Sequence, residues 1–169
     1  MIKAQSVELY GQTYRIQLFA AIEGFERFDQ HSPLVLLQKT SVVVEDQLKI
    51  LDSAETIDAY VLDPTHVVAP VAVVKALMNV VHRFNFGFLD TWQPMEKPHV
   101  VENTKGVARQ SKNLNPMISA LLQNHYATLH ELETLYSVKD VFVLYDALLE
   151  EQINKALAYH VQSKQRKRH

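Results

Sequence analysis

Histidine, aspartate and glutamate are the side chains of this chain that could hold a metal ion, because it contains 8 histidines and no cysteine. The nearest approach to a ligand set is His125 with the neighbouring His130 and Glu131. A zinc-binding H-E-x-x-H helix would need a second histidine where Thr134 stands. A helix boundary predicted at Thr128 also assigns His125 to a different element. Surface or capping histidines are favoured, and we expect neither a metal ion nor another cofactor.

Acid–base and nucleophilic chemistry lack a recognisable arrangement. Three carboxylate pairs are close in sequence: Glu131/Glu133, Glu150/Glu151 and Asp52/Glu55. They fall on predicted polar helix faces, where solvent gives the two carboxylates of a pair similar pKa values. A general acid and a general base need different pKa values. The 4 glycines cannot form a Gly-rich phosphate loop, and G-x-S-x-G is absent. We therefore expect a protein that is not an enzyme; a metal-dependent enzyme using His125, His130 and Glu131 is the least favoured alternative.

The charge of the chain is nearly balanced overall but uneven along its length. The 17 basic and 19 acidic residues give a formal charge of −2, which offers no general attraction for nucleic acid. Residues 1–63 carry 5 basic and 10 acidic groups, whereas 97–112 carry 4 and 1, and 164–169 carry 4 and none. Neither basic cluster contains an interleaved aromatic residue, so nucleic-acid binding is disfavoured.

The N-terminus lacks the features of a signal peptide, and no apolar run approaches the length of about 20 residues that spans a membrane. We therefore expect a soluble, cytoplasmic protein that does not bind a membrane.

The N-terminal region alternates apolar and polar side chains with the period of a β-strand. Its apolar members are Val7, Leu9, Tyr14, Ile16 and Leu18. The polar break Gly11-Gln12 interrupts this alternation, so the pattern predicts a β-hairpin over 7–19. A helical period from Phe19 predicts a short amphipathic helix directly after the hairpin. Ser32-Pro33 predicts a helix start, 41–52 is compatible with helix or strand, and a brief helix over 54–62 ends at Asp63-Pro64.

The clearest long helix is predicted from Pro70 to about Trp92. One apolar stripe contains Val71, Val74, Leu77/Met78, Val81, Phe84 and Phe88, and a second set contains Val73, Val80, Phe86 and Leu89. A helix that is apolar over more than half its girth is either central to a core or covered by another chain. Six residues are accordingly predicted to bind a partner: Val71, Val74, Leu77, Phe84, Phe88 and Trp92.

The C-terminal part is predicted to be a helical module over 114–169 with a basic tail, separated from an N-terminal domain over 1–92 by a linker over 93–113. Its helix starts are Asn115-Pro116, Thr128 with Glu131, and Ser137 with Asp140. The last helix, Val138 to about Ser163, is predicted to bury Val141, Tyr145, Leu148, Leu149, Ile153 and Leu157 and to expose Glu150, Glu151 and Lys155. The predicted fold class is α+β, mainly helical, with an N-terminal hairpin packed on helices.

Three parts of the chain show a family resemblance. The hairpin Val7–Ile16 followed by the helix opening Ala20–Phe25 resembles the start of the tail assembly chaperones of long-tailed bacteriophages. The middle region, with Asp63-Pro64 and then Val71 to Leu89, is similar to the helical region of those proteins, and Thr128 to Glu150 is similar to their later helical segment. The resemblance covers most of the chain and rests on pattern, without an invariant motif.

The resemblance implies a non-catalytic protein of the host-cell cytoplasm that binds the helical tape-measure protein, tail-tube subunits, or both during tail assembly. Self-association is compatible with this role. The resemblance assigns no functional residue in this chain, because the family has no active-site motif. The alternative is a structural virion protein, such as a tail, connector or baseplate subunit, since both roles need apolar helices that contact other proteins.

Overall fold

A four-stranded antiparallel sheet forms the N-terminal part of the computed structural model, which describes residues 3–95 and 114–166. The strands follow one another in the order β1 Ala4–Leu9, β2 Gln12–Gln17, β3 Thr40–Val44 and β4 Gln47–Ile50. Val7 lies opposite Tyr14, and Tyr14 lies opposite Val42. The predicted hairpin is confirmed, and a second hairpin extends it into a sheet.

Both hairpin turns have two central residues, and all four of these residues have positive backbone φ angles. They are 51° at Tyr10 and 75° at Gly11 in the first turn, and 48° at Glu45 and 61° at Asp46 in the second. Positive φ at both central residues is the turn geometry that matches the twist of paired strands. The structure resolves the ambiguous segment 41–52 as strands, because its β-branched half pairs with β2 and buries Val42 in the core.

Among the described residues, helices make up 56% and strands 16%, which confirms a mainly helical α+β fold. The helices are α1 Ala21–Arg27, α2 Pro33–Leu36, α3 Ala54–Tyr60, α4 Pro70–Phe86, a 3₁₀ helix Gly87–Asp90, α5 Pro116–Gln123, α6 Leu129–Thr134 and α7 Val138–Arg166. The predicted linker 93–113 lies outside the described residues except for 93–95, as do the last three residues of the basic tail. The division into domains at that linker stays a prediction.

Local capping fixes where the C-terminal helices begin. The Thr128 hydroxyl accepts a hydrogen bond from the Glu131 amide, and the Glu131 carboxylate accepts one from the Thr128 amide at 2.8 Å. Ser137 and Asp140 make the same reciprocal pair, with 2.8 Å from the Ser137 amide to the carboxylate. The side chain of Asn115 accepts from the Met117 amide at 2.9 Å. These contacts satisfy amide groups that a helix leaves free at its start, so the predicted starts are confirmed.

The first core lies between the sheet and α4. Its central residues are Tyr14, Ile16 and Val42 from the sheet, Val73, Leu77 and Val81 from α4, and Leu36, Leu37, Ile57 and Val61 from the connecting segments. The buried face of α4 thus follows Val73, Leu77 and Val81 at a spacing of four, which corrects the predicted stripe through Val71. The helix also ends at Phe86 and not near Trp92, because the weak helix former Gly87 begins a 3₁₀ turn.

The second core joins α1 to the C-terminal helices. Its buried residues are Ala21, Ile118, Leu121, Ala127, Leu132, Val141 and Leu148. On α7, the predicted burial is confirmed for Val141 and Leu148, whereas Tyr145, Leu149, Ile153 and Leu157 are only half-buried. Of the residues predicted to be exposed, Glu150 and Lys155 are, and Glu151 is half-buried. The apolar face of α7 therefore contributes to this core over its first part alone.

The short segment that starts α1 connects the two cores. The Phe19 amide donates to Oδ1 of Asn85 on α4 at 2.7 Å, and the Ala21 amide donates to the carbonyl of Tyr136 at 2.7 Å. One turn later, Gly24 faces α7 so closely that a Cβ there would lie 2.3 Å from Cγ2 of Val138. The backbone of α1 is therefore held between α4 and α7.

Arg27 ties the end of α1 to the segment around α2. Its guanidinium lies 2.8 Å from the Glu23 carboxylate, donates to Gln38 at 2.7 Å, and also donates to the Val35 carbonyl. Its carbon Cζ lies 5.0 Å above the centre of the Phe19 ring. Arginine suits this position, because its planar fork can serve several acceptors while it stacks on an aromatic face.

Gly24→Ala should lower the free energy of unfolding by about 1–3 kcal/mol, because the added methyl group overlaps a buried valine and forces α1 away from α7. Chemical denaturation of the full chain measures the change. Gly87→Ala is the matched control, since its Cβ would meet only the flexible Arg83 side chain at 3.1 Å. Equal stability of the two variants would contradict the close approach.

Candidate partner-binding surfaces

An open apolar groove of about 550 Å³ lies between α2, α3 and the first turn of α4. We call it the α2–α4 groove. Its lining residues are Ser32, Pro33, Leu34, Ala54, Ile57, Asp58, Val61, Pro70, Val71 and Val74. The volume falls within the range typical of binding pockets, about 300–1,000 Å³.

The floor of the α2–α4 groove is buried and its walls are exposed. Ile57 on α3 and Val61 directly after α3 are buried and belong to the first core, so they form the floor. Leu34 is 41% exposed and Val71 is 63% exposed, although both are apolar. Asp58 is the charged side chain of the lining. The groove thus presents apolar surface that the described chain does not cover, together with one negative charge.

Asp63 shapes the loop that brings α4 to the groove. Its buried carboxylate accepts hydrogen bonds from the Thr65 hydroxyl at 2.6 Å and from the amides of Thr65, Val67 and Val68 at 2.9–3.0 Å. These bonds stabilise the charged form and lower the pKa of Asp63 to about 2. The sequence indicates only that Asp63-Pro64 ends a helix, because three of the four donors are backbone amides, which no residue type reveals.

The structure divides the six residues predicted to bind a partner. Val71 and Val74 lie in the α2–α4 groove. Leu77 is fully buried in the first core, which corrects its assignment to a binding surface. Phe84 and Phe88 line a different pocket at the far end of α4. The predicted single stripe is therefore two separate surfaces with core between them.

The pocket near Phe84 and Phe88 has a volume of about 370 Å³ and a mixed polar and apolar lining. Its buried amide, Asn85, is already engaged, because Oδ1 accepts from Phe19 and Nδ2 donates to the Val81 carbonyl at 2.9 Å. The Asn85 side chain therefore has a structural role at this pocket, and the charged residues of its lining are Lys3, Lys139 and Asp140.

Trp92, the sixth predicted residue, packs within the fold. The Trp92 ring packs edge-on against the Phe142 ring, with 4.8 Å between the two centroids. The Phe88 ring also packs edge-on against Phe142, with 5.3 Å between those centroids. The indole Nε1 donates to Oδ2 of Asp146 at 3.1 Å. Trp92 therefore attaches the end of the 3₁₀ helix to α7, which leaves Val71 and Val74 as the predicted residues at the α2–α4 groove.

The histidines and carboxylates considered for chemistry do not converge. Within 3–95 and 114–166, no group of three histidine, aspartate or glutamate side chains is placed to hold a metal ion. Glu131 is engaged in its helix cap, and the hydrogen bonds from Thr128 lower its pKa. Glu151 pairs with Lys155 and accepts from the Tyr126 hydroxyl, and these contacts lower its pKa. Glu131 and Glu151 thus each have a local structural partner.

The outer face of the second hairpin is also apolar. Val43 lies opposite Leu48, and both are exposed, at 38% and 48%. Ile50, 53% exposed, extends this patch along β4, which is an edge of the sheet. Sequence reasoning missed the patch because it left 41–52 between helix and strand.

No known protein family, curated protein or solved structure matches this chain. Among the residues that the structure describes, no helix is both long and apolar enough to cross a membrane.

Asp63→Asn should reduce stability at neutral pH, because the four hydrogen bonds lose their charged acceptor. In the unmodified chain this contribution is present above the ordinary aspartate pKa of about 3.9 and is lost as the pH falls towards about 2. Urea denaturation should therefore show a difference between the two proteins that shrinks over this range. Asp58→Asn, in the exposed groove lining, serves as control and should leave stability nearly unchanged. A difference between Asp63→Asn and the unmodified chain that stays constant down to pH 2 would contradict the assignment.

Proposed function

We propose that this protein is a non-catalytic assembly chaperone of a bacteriophage tail that binds an amphipathic helix of the tape-measure protein in its α2–α4 groove. The groove is the observation that carries the proposal. A helix that lays its apolar face into such a groove is a recurrent mode of recognition. The resemblance of the hairpin, α1 and α4 regions to tail assembly chaperones supplies the identity of the partner.

The exposed walls of the groove support a protein partner over a small molecule. Leu34 on α2 and Val71 on α4 both line the groove and remain open to solvent. An apolar helix side chain seated between them would contact the buried floor at Ile57 and Val61. Burial of such an anchor contributes about 1.5–3 kcal/mol.

The charge around the groove favours a partner helix with basic residues. Asp58 lies in the lining, and Glu55 precedes it by three residues on α3, so both project from neighbouring positions of that helix. The described residues give neither side chain an ion-pair partner. A lysine or arginine beside the apolar anchors of the tape-measure helix would pair with them and fix its direction.

Val71→Glu should lower the amount of tape-measure protein that co-purifies with the full chain about tenfold, since a charge in the groove wall costs at least about 1.4 kcal/mol of binding. The measurement is co-expression with the tape-measure protein encoded in the same genome, followed by affinity purification. Val143→Glu is the matched control: Val143 is 60% exposed on a helix, compared with 63% for Val71, and lies outside the groove.

Two outcomes would contradict different parts of the proposal. If the unmodified chain neither co-purifies with the tape-measure protein nor keeps it soluble, the chaperone function is wrong. If the unmodified chain binds but Val71→Glu binds equally well, the function stands and the α2–α4 groove is not its site.

A permanent virion subunit is the second candidate, and the sheet favours it. Strands β1 and β4 are both edges, and the exposed patch comprises Leu48 and Ile50 on β4 together with Val43 on the neighbouring β3. Edge strands of this kind can pair with neighbouring subunits in an assembly. Mass spectrometry of purified particles separates the two functions, because a chaperone is left behind whereas a subunit is retained.

A further inference from the structure

Helix α7 is much longer than the core that it supports. It runs from Val138 to Arg166, but its last fully buried side chain is Leu148. Within 149–165 no side chain is fully buried, and Tyr159 is 76% exposed. At about 1.5 Å per residue, some 24 Å of helix follow Leu148 before Lys164 is reached.

The apolar face of α7 changes direction after Leu148. In the first part, Val141 and Leu148 point into the second core. In the second part the side of the helix that continues this direction carries Glu151 and Lys155, which form an ion pair with each other. The apolar residues move by roughly a third of a turn, given about 100° per residue. The extension is therefore not patterned to pack on the chain's own second core.

A new stripe runs along the extension with alternating spacings of four and three. Its members are Leu149, Ile153, Ala156, Leu157, His160 and Ser163, all half-buried, whereas the remaining residues of 152–165 are exposed. This spacing is the pattern by which one helix packs along another. We call these six residues the α7 stripe.

Charge is separated along the α7 stripe. Glu150 flanks its N-terminal end, and Lys164 follows its C-terminal end. A second copy of the same helix laid alongside in the opposite direction would place each Lys164 next to the other copy's Glu150. A copy laid in the same direction would place like charges together, which disfavours that arrangement.

We propose that α7 is a dimerisation helix whose stripe packs antiparallel against the same stripe of a second copy of this chain. The two-fold axis passes between Ala156 and Leu157, so Ile153 faces His160 of the second copy and Glu150 faces Ser163 and Lys164. The contact is isologous and therefore closed, as expected for a dimer. The α2–α4 groove lies on other helices and stays open in each copy, so this inference does not depend on the proposed function.

Sedimentation of the full chain tests the dimer. A contact of about four helical turns is a small interface, so a reversible dimer should form at concentrations on the order of 10–100 μM. Ile153→Asp should make the chain monomeric over this range, whereas Tyr159→Asp, off the stripe on the same extension, should leave the dimer intact. A monomeric unmodified chain would overturn the proposal. A second result would also overturn the proposal: a loss of thermal stability in Ile153→Asp at concentrations where the unmodified chain is monomeric. That loss would show that another part of the same chain covers the α7 stripe.

Engineered cysteines test the direction, and the natural chain contributes none that would interfere. Ala156→Cys should cross-link to itself under mild oxidation, because the two copies meet at that position. Ser163→Cys should not cross-link to itself but should cross-link to Glu150→Cys when the two variants are mixed. Self-cross-linking of Ser163→Cys would indicate a parallel pair and overturn the antiparallel arrangement. A dimer that fails to cross-link through Ala156→Cys would place the interface elsewhere and overturn the proposal as well.

Discussion

The contact between α1 and α7 at Gly24 is the constraint on which the rest of the structure depends. The absence of a side chain lets the two helix backbones approach, and Val138 fills the space that a Cβ would occupy. The start of α1 is fixed at the same time by Asn85, whose side chain is 4% exposed and satisfies the Phe19 amide. Because Phe25 then packs against both cores, the sheet and the C-terminal helices share α1 as a common wall.

Sequence patterns predict an element correctly where residues close in sequence determine its structure. The hairpin follows from side chains that alternate along Val7 to Leu18, and the starts of α6 and α7 follow from hydroxyl and carboxylate groups three residues apart. Long-range contacts decide the rest. The sequence of α4 is apolar on most sides, so only packing against the sheet selects Val73, Leu77 and Val81 as its buried face. The groove is harder still to foresee, since three helices that are distant in sequence form it.

Helix α4 therefore has two roles that its uniform apolar composition conceals. Its central turns hold the first core, while Val71 remains exposed in its first turn because the Asp63 loop directs that turn beside α3. Asp63 accepts four hydrogen bonds that fix the conformation of this loop, so the groove wall would be in position before the proposed partner binds. Such preorganisation reduces the entropy that binding must offset.

Because α1 contacts both cores, its packing is incomplete while the chain is being translated. Gly24 leaves the ribosome long before Val138, and at typical elongation rates of about 5–20 residues per second the delay is on the order of 10 s. During that interval the nascent sheet and α4 can form the first core, but the α7-facing side of α1 has no partner and exposes Ala21 and Phe25. A contact between residues so far apart in sequence forms late, because the long intervening loop must close first. The growing chain is then itself a species with exposed apolar surface, which links its yield in cells to the rate of translation.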